Sequence, residues 1–171
     1  MTVIKTHLNV TSVEHAVQDV AEVLGRVALV VAPPLLRIAL AVPFFKSGLT
    51  KWDGFLSLSP SAVYLFEEEF KLHIFGEAYD LPVPLAVAHL TGLAEITLPI
   101  LLVLGLATRF AALGLLIMTA VIQLVVPDGW ANFHLPWAAL AIAIIALGPG
   151  GLSLDHLIDR LRHPRTPRGA A

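Results

Sequence analysis

The amino-acid sequence predicts an all-α fold: an integral membrane four-helix up-down bundle with an N-terminal interfacial amphipathic helix. Three observations carry this expectation. Of 171 residues, 57% are hydrophobic and only 14% charged, with a mean hydropathy of +0.80, whereas a soluble domain usually carries about 25% charge. Four apolar runs approach or exceed the roughly 20 helical residues that cross a bilayer core. Two connections between these runs are short, which makes consecutive helices antiparallel neighbours.

The first 25 residues are polar and mixed in charge, without a basic stretch leading into an apolar core. Targeting is therefore expected to reside in the first membrane segment rather than in a cleavable signal peptide. Residues 1–33 read as a cytoplasmic or interfacial segment, with an amphipathic helix from about Ser12 to Ala32. Pro33-Pro34 should break or kink the chain, because proline lacks an amide donor and clashes with the preceding turn. The first span then runs from about Leu35 into Gly48–Lys51; a rival reading starts it at Val27 and puts Arg37 at its centre.

The second span covers about Pro84 to Leu106, the third Phe110 to Val126, and the fourth Phe133 to Gly151. Gly148-Pro149-Gly150-Gly151 stops the last of these. Ala107-Thr108-Arg109 and Pro127-Asp128-Gly129-Trp130 are the short turns. The membrane domain as a whole is placed at 34–158. Ser153 and Asp155 open a short amphipathic helix through Leu161, and 159–171 reads as a disordered basic tail.

Orientation follows from lysine and arginine. Arg160, Arg162, Arg165 and Arg168 follow the last span, and Arg109 sits in the second connection. The long first connection holds only Lys71 among its basic residues, against Asp53, Glu67, Glu68, Glu69, Glu77 and Asp80. This pattern predicts a multi-pass protein of the bacterial inner membrane with both termini cytoplasmic. The absence of cysteine excludes disulfides, thiolate metal ligands, iron–sulfur clusters and a thiol nucleophile. The net charge of −2 offers no basic face for nucleic acid.

Several short segments, in this order, resemble the DoxX family. They are Arg37 with Gly48-Leu49-Thr50-Lys51, then Gly92-Leu93-Ala94-Glu95, then Leu104-Gly105-Leu106-Ala107-Thr108-Arg109, and last Gly148-Pro149-Gly150-Gly151-Leu152-Ser153-Leu154-Asp155. Tyr64-Leu65-Phe66-Glu67-Glu68-Glu69-Phe70 and His134-Leu135-Pro136-Trp137 are similar to one branch, whose members often sit beside enzymes that build metal-binding peptides. The resemblance implies a four-helix inner-membrane protein acting as an oxidoreductase or a subunit of one. Its relatives include the membrane subunit of thiosulfate:quinone oxidoreductase.

Glu95 is the residue an anchor would not need. It lies in a 26-residue stretch, Pro82 to Ala107, whose only other side chain able to carry charge is His89. A carboxylate at mid-membrane depth costs about 2.5–3.5 kcal/mol by some scales. Arg37 is the expected partner, by the affinity of guanidinium for a buried carboxylate. Paired, Glu95 is a staple between helices; unpaired, it is a proton carrier.

Quinone chemistry needs an apolar slot, aromatic walls and protonatable partners for the carbonyls. Glu95, His89 and His134 are the candidate catalytic groups; Arg37, Lys51, Gln123, Trp130 and Trp137 are the candidate binding groups. Tryptophans at span ends also serve as interfacial anchors. His73, His89, His134 and the Glu67–Glu69 run supply ligands suited to copper, iron or zinc, but no two histidines are tightly spaced. A metal therefore ranks below quinone, and haem last, since His89 and His134 differ in depth. The expected surroundings are the lipid bilayer, a partner redox or metal-handling subunit, and a homo-oligomer. The competing class is a non-enzymatic transporter or an accessory protein for metal handling or envelope stress.

Overall fold

The computed structural model describes residues 10–163, with side chains from residue 13 onward. Helix α1 (Val10–Thr50) leads through a short helix α2 (Pro60–Tyr64) and a π turn at Leu65–Glu69 into an antiparallel hairpin, β1 (Lys71–Ile74) and β2 (Glu77–Asp80). Then follow α3 (Pro84–Leu104) and α4 (Thr108–Val125). A 3-10 turn at Pro127–Gly129 and a π turn at Trp130–His134 precede α5 (Leu135–Leu147), and α6 (Leu154–Arg162) closes the described chain. Four of these segments, Val13–Thr50, Pro84–Leu104, Thr108–Val125 and Pro127–Leu147, are long and apolar enough to cross a membrane.

The long helices form a ring in which α1 and α4 each touch both α3 and α5. Leu40 and Phe44 of α1 meet Leu102 of α3, Ala111, Ala112 and Leu115 of α4, and Ala141 and Ile144 of α5. Lipid tails are as apolar as these side chains, so close packing rather than exclusion from water holds the helices together. Small residues set the approach. A Cβ on Gly48 would lie 3.0 Å from the Glu95 backbone, and one on Gly92 would lie 2.7 Å from the Trp52 ring. α1 at Gly48, and the chain just past it at Trp52, are thereby brought against α3 at two consecutive levels.

The expected break at Pro33-Pro34 does not occur, and there is no separate interfacial helix: α1 is continuous through both prolines and through Pro43. Proline keeps helical φ, and the carbonyls it leaves without donors belong to exposed turns upstream. Pro33 itself is buried against the chain at Gly150. The hairpin at 71–80 was not foreseen from the sequence. It is closed by Lys71 Nζ donating to Asp80 at 2.6 Å and tied to the end of α4 by His73 Nδ1 and the Leu124 carbonyl at 3.2 Å. Helix α3 ends at Leu104 because Gly105 takes a left-handed φ of 68°, and α5 at Leu147, where Gly148 has φ 79°.

Ser153 opens α6 as expected, its hydroxyl accepting from the His156 amide at 3.1 Å. The helix continues to Arg162, so residues 159–162 are helical and not part of a disordered tail; residues 164–171 of that tail lie outside the described residues, as do residues 1–9. A helix is available here because Asp155 starts it on the acid-favouring end and Arg160 and Arg162 finish it on the base-favouring end.

Asp155 has a second task. Helix α4 begins at Thr108 without a side-chain cap of its own. Asp155 supplies one from another element, accepting from the Ala107 amide at 2.8 Å, the Thr108 amide at 2.9 Å and the Thr108 hydroxyl at 2.8 Å. Its own amide donates to the Gly105 carbonyl at 2.9 Å. Arg37 completes this latch by donating from Nη2 to the Leu152 carbonyl at 2.5 Å.

Partial burial alone would raise the Asp155 pKa, but the Thr108 and Ala107 donors and the nearby Arg37 charge outweigh it and hold the carboxyl below its ordinary 3.8. A depressed folded-state pKa means the stabilisation is complete above the ordinary value and is lost as pH falls through the lowered one. Asp155→Ala should therefore cost about 1–2 kcal/mol at neutral pH, the scale of a lost helix cap. In thermal unfolding of purified protein the deficit should shrink below the ordinary carboxylate range. An unchanged Tm at neutral pH would contradict the latch.

Candidate functional site

Ser47 near the C-terminal end of α1 and Lys51 just past it face α3, which presents Glu95 at the same level. Lys51 Nζ stands 2.5 Å from Glu95 Oε2 and 3.1 Å from Ser47 Oγ, and the Ser47 hydroxyl donates to Glu95 Oε1 at 3.4 Å. The side chains of Lys51 and Glu95 are only 11% and 6% exposed. Gly48 is the reason they meet, since any side chain there would strike the Glu95 backbone.

The partner expected from the sequence, Arg37, is at the wrong level. α1 and α3 are antiparallel, so the residue opposite Gly48 is Glu95 and the residue against Arg37 is Gly105. Fourteen positions separate Arg37 from Lys51, about 21 Å along a helix. Arg37 is 3% exposed and belongs to the latch at the other end of the bundle, where its Nε and Nη1 have no protein acceptor.

Beside the ion pair lies a partly open chamber of about 490 Å³. One wall is α3 at Thr91, Ala94 and Leu98; the facing wall is α4 at Gly114, Met118 and Ile122. Phe44 and Trp137 bound it from α1 and α5, while Phe66 and Phe70 cover its outer side from the π turn and the residue after it. Lys51 Nζ stands 5.9 Å from the Phe66 ring centre, within reach of a cation–π attraction. Among the described residues, Lys51 and Glu95 are the only charged ones lining the chamber, and Ser47 and Thr91 the only hydroxyl-bearing ones.

Of the eight site residues expected from sequence, Glu95, Lys51 and Trp137 come together here. The others stand elsewhere. His89 donates from Nδ1 to the Leu85 carbonyl of its own helix at 2.8 Å and packs edge-on against Trp52, 5.9 Å between rings. His134 is buried in the turn before α5, donating from Nδ1 to Gln123 Oε1 at 2.6 Å while Gln123 Nε2 donates to the Pro127 carbonyl at 3.1 Å. That chain of bonds fastens the end of α4 to the start of α5. Its link to the chamber is indirect: His134 packs on Trp137 at 5.5 Å, and Trp137 packs on Phe44 at 5.0 Å. Trp130 is half-exposed.

Ser47, Phe66 and Phe70 were not singled out from the sequence. Ser47 had a signal, lying four residues before Lys51 on one helix face. The two phenylalanines flank the Glu67–Glu69 run, where the eye goes to the charges. Among the described residues, no group of three or more His, Cys, Asp or Glu side chains is placed to hold a metal ion.

Breaking a buried pair on one side strands the other charge, at a cost of about 3–5 kcal/mol. Lys51→Met should therefore destabilise the bundle by about that amount, while Lys51→Met combined with Glu95→Gln should recover more than half of the loss. Thermal unfolding of the purified protein in detergent reads both. Equal losses in the single and double variants would show that the two residues are not coupled.

Comparison with known proteins agrees with this architecture. The family model described as DoxX matches residues 32–128, from the start of the bundle part of α1 to the turn after α4. A protein of Haemophilus influenzae, itself described only as uncharacterized, is 30% identical over 74% of this chain and 83% of its own length. No solved structure matches. The stretches that place Lys51 on Glu95 and Arg37 on the 105–109 turn lie inside the matched region. The chain belongs to the DoxX family of membrane proteins.

Proposed function

We propose that this protein is the quinone-binding component of a membrane oxidoreductase, located in the bacterial inner membrane with both termini cytoplasmic and the chamber in the outer half of the bilayer. The observation that carries the reading is a single buried ion pair in the wall of an otherwise apolar chamber. Ligand sites are typically apolar cavities of about 300–1,000 Å³ with a few polar groups that fix orientation. At about 490 Å³, the space suits a quinone head group with the start of its tail. A pure anchor would have no use for the chamber, and a polar solute would find no second polar wall in it.

A bound quinone supplies two-electron, two-proton redox chemistry. The residues of this chain do the rest. Lys51, already shared between Ser47 and Glu95, donates to a carbonyl oxygen and fixes the head group. Glu95, ionised beside Lys51, takes up a proton at Oε1 or Oε2 from that oxygen when the ring is oxidised and returns it when the ring is reduced. Phe44 and Trp137 form the flat apolar wall, and Phe66 and Phe70 keep bulk water out. The chain has no thiol, so the electrons come from a partner redox protein. His134 and Gln123 act at one remove by setting the position of Trp137.

A short-chain quinone titrated into the purified protein should quench tryptophan fluorescence saturably. Trp137→Phe should remove most of the quenching, and Ala94→Phe, which fills the chamber, should weaken binding at least tenfold. Quenching that rises linearly with quinone, or that survives Ala94→Phe unchanged, would end the quinone reading.

A further inference from the structure

The side of α1 turned away from the bundle carries an apolar line that none of the described residues covers. Val13, Val17, Val20, Leu24, Val27 and Val31 follow one another at spacings of four and three, and all are exposed. The line continues past the prolines through Leu35, Ile38, Val42 and Leu49, again exposed. Val13 and Leu49 are 36 positions apart, ten turns at about 3.6 residues each, so by the helical period the line keeps to one side of α1. The residues that α1 gives to its own bundle, such as Pro33, Leu40 and Phe44, lie roughly 160° away around the helix.

Lipid can cover only part of this line. α1 has 41 residues, about 60 Å of helix, whereas the hydrocarbon core is about 30 Å thick. Pro33 is level with the Gly150 loop at the bundle's end, so the upstream arm projects beyond the bundle. The opposite face of that arm is dressed for water, with Glu14, His15, Gln18, Asp19 and Glu22, and Arg26 is paired to Glu22 at 3.0 Å. Valine and leucine at alternating three- and four-residue steps, with charges kept off the line, are the pattern by which parallel helices pair. Lower down, the same side of α1 borders a groove of about 270 Å³ against α3, lined by Val42, Phe45, Pro99, Ile100 and Val103 among others. The groove is open to a side chain from outside the bundle.

We infer that α1 pairs in parallel with α1 of a second copy of this chain along the Val13–Leu49 line. One two-fold axis parallel to α1 covers the arm, the membrane stretch and the groove together, which neither a lipid surface nor a ligand of the arm alone does. Because the repeat averages near 3.6 rather than 3.5, the two helices run almost straight. The lining of the chamber beside Glu95 shares no residue with the line or the groove, so pairing and ligand binding are separable.

The chain has no cysteine, which suits single-cysteine cross-linking of full-length protein in native membranes. Val17→Cys, Leu24→Cys and Val42→Cys should each give a disulfide-linked dimer on mild oxidation, with yields at least tenfold above Gln18→Cys and Glu22→Cys. Leu24→Asp should convert the purified protein from two copies to one without loss of helicity. Cross-linking at Val42 alone would place the arm on lipid and overturn the pairing. Bonding to a different protein, equal yields on both faces, or no product at all would overturn it too, as would a Leu24→Asp protein that stays dimeric.

Discussion

The arrangement of this bundle depends on the contact between Lys51 and Glu95. A carboxylate in the apolar stretch of α3 fixes which face of that helix turns inward, how far α1 slides along it, and which residues line the space beside them. Gly48 and Gly92 follow from the same requirement, because the amine reaches the carboxylate only if the two backbones approach closely. Ser47 takes up lone pairs and protons that the pair alone would leave over. Removing two charges from lipid and water costs more than their attraction returns unless such additional bonds exist. The Ser47 hydroxyl and the short Lys51–Glu95 bond supply them here.

The two ends of the bundle solve different problems. At the C-terminal end of α1 a cation and an anion meet beside a space roofed by Phe66 and Phe70. At the other end Arg37 and Asp155 do not bond each other directly; each holds backbone groups, the Leu152 carbonyl in one case and the first amides of α4 in the other. That end is filled, with Gly105 pressed against both Arg37 and Ser153. It has the character of a fastener, while the Lys51 end has the character of a site. The short motif segments divide in the same way: those at 48–51 and 92–95 border the chamber, and those at 104–109, inside the family match, and 148–155, beyond it, build the latch.

Much of this was legible in the sequence. Run lengths and glycine and proline stops located the second and third spans to within a few residues and the fourth to within about six, because apolar length and helix termination are local properties; the first was started at Leu35, whereas its helix begins at Val10. Glu95 stood out for the same reason. Its partner did not, because choosing Lys51 over Arg37 requires the level at which two antiparallel helices meet, and that is set by Gly48 against Glu95, a contact 47 residues apart in the chain. Asp155 could be read as the start of α6 but not as the cap of α4. Pro33-Pro34 misled because tandem prolines weaken a helix without ending it when the orphaned carbonyls stay exposed. His89 and His134 were attractive for their depth, yet depth along a helix says nothing about direction around it, and both rings are engaged by neighbouring carbonyl oxygens instead of the chamber.

The central claim is that one ion pair both fastens α1 to α3 and recognises the chamber's ligand. The most direct measurement is the affinity of a short-chain quinone for protein carrying Lys51→Met and Glu95→Gln together, in lipid nanodiscs, with folding monitored on the same sample. The account predicts a folded bundle whose quinone affinity has fallen at least tenfold. A folded double variant that binds quinone as tightly as the natural protein would contradict it.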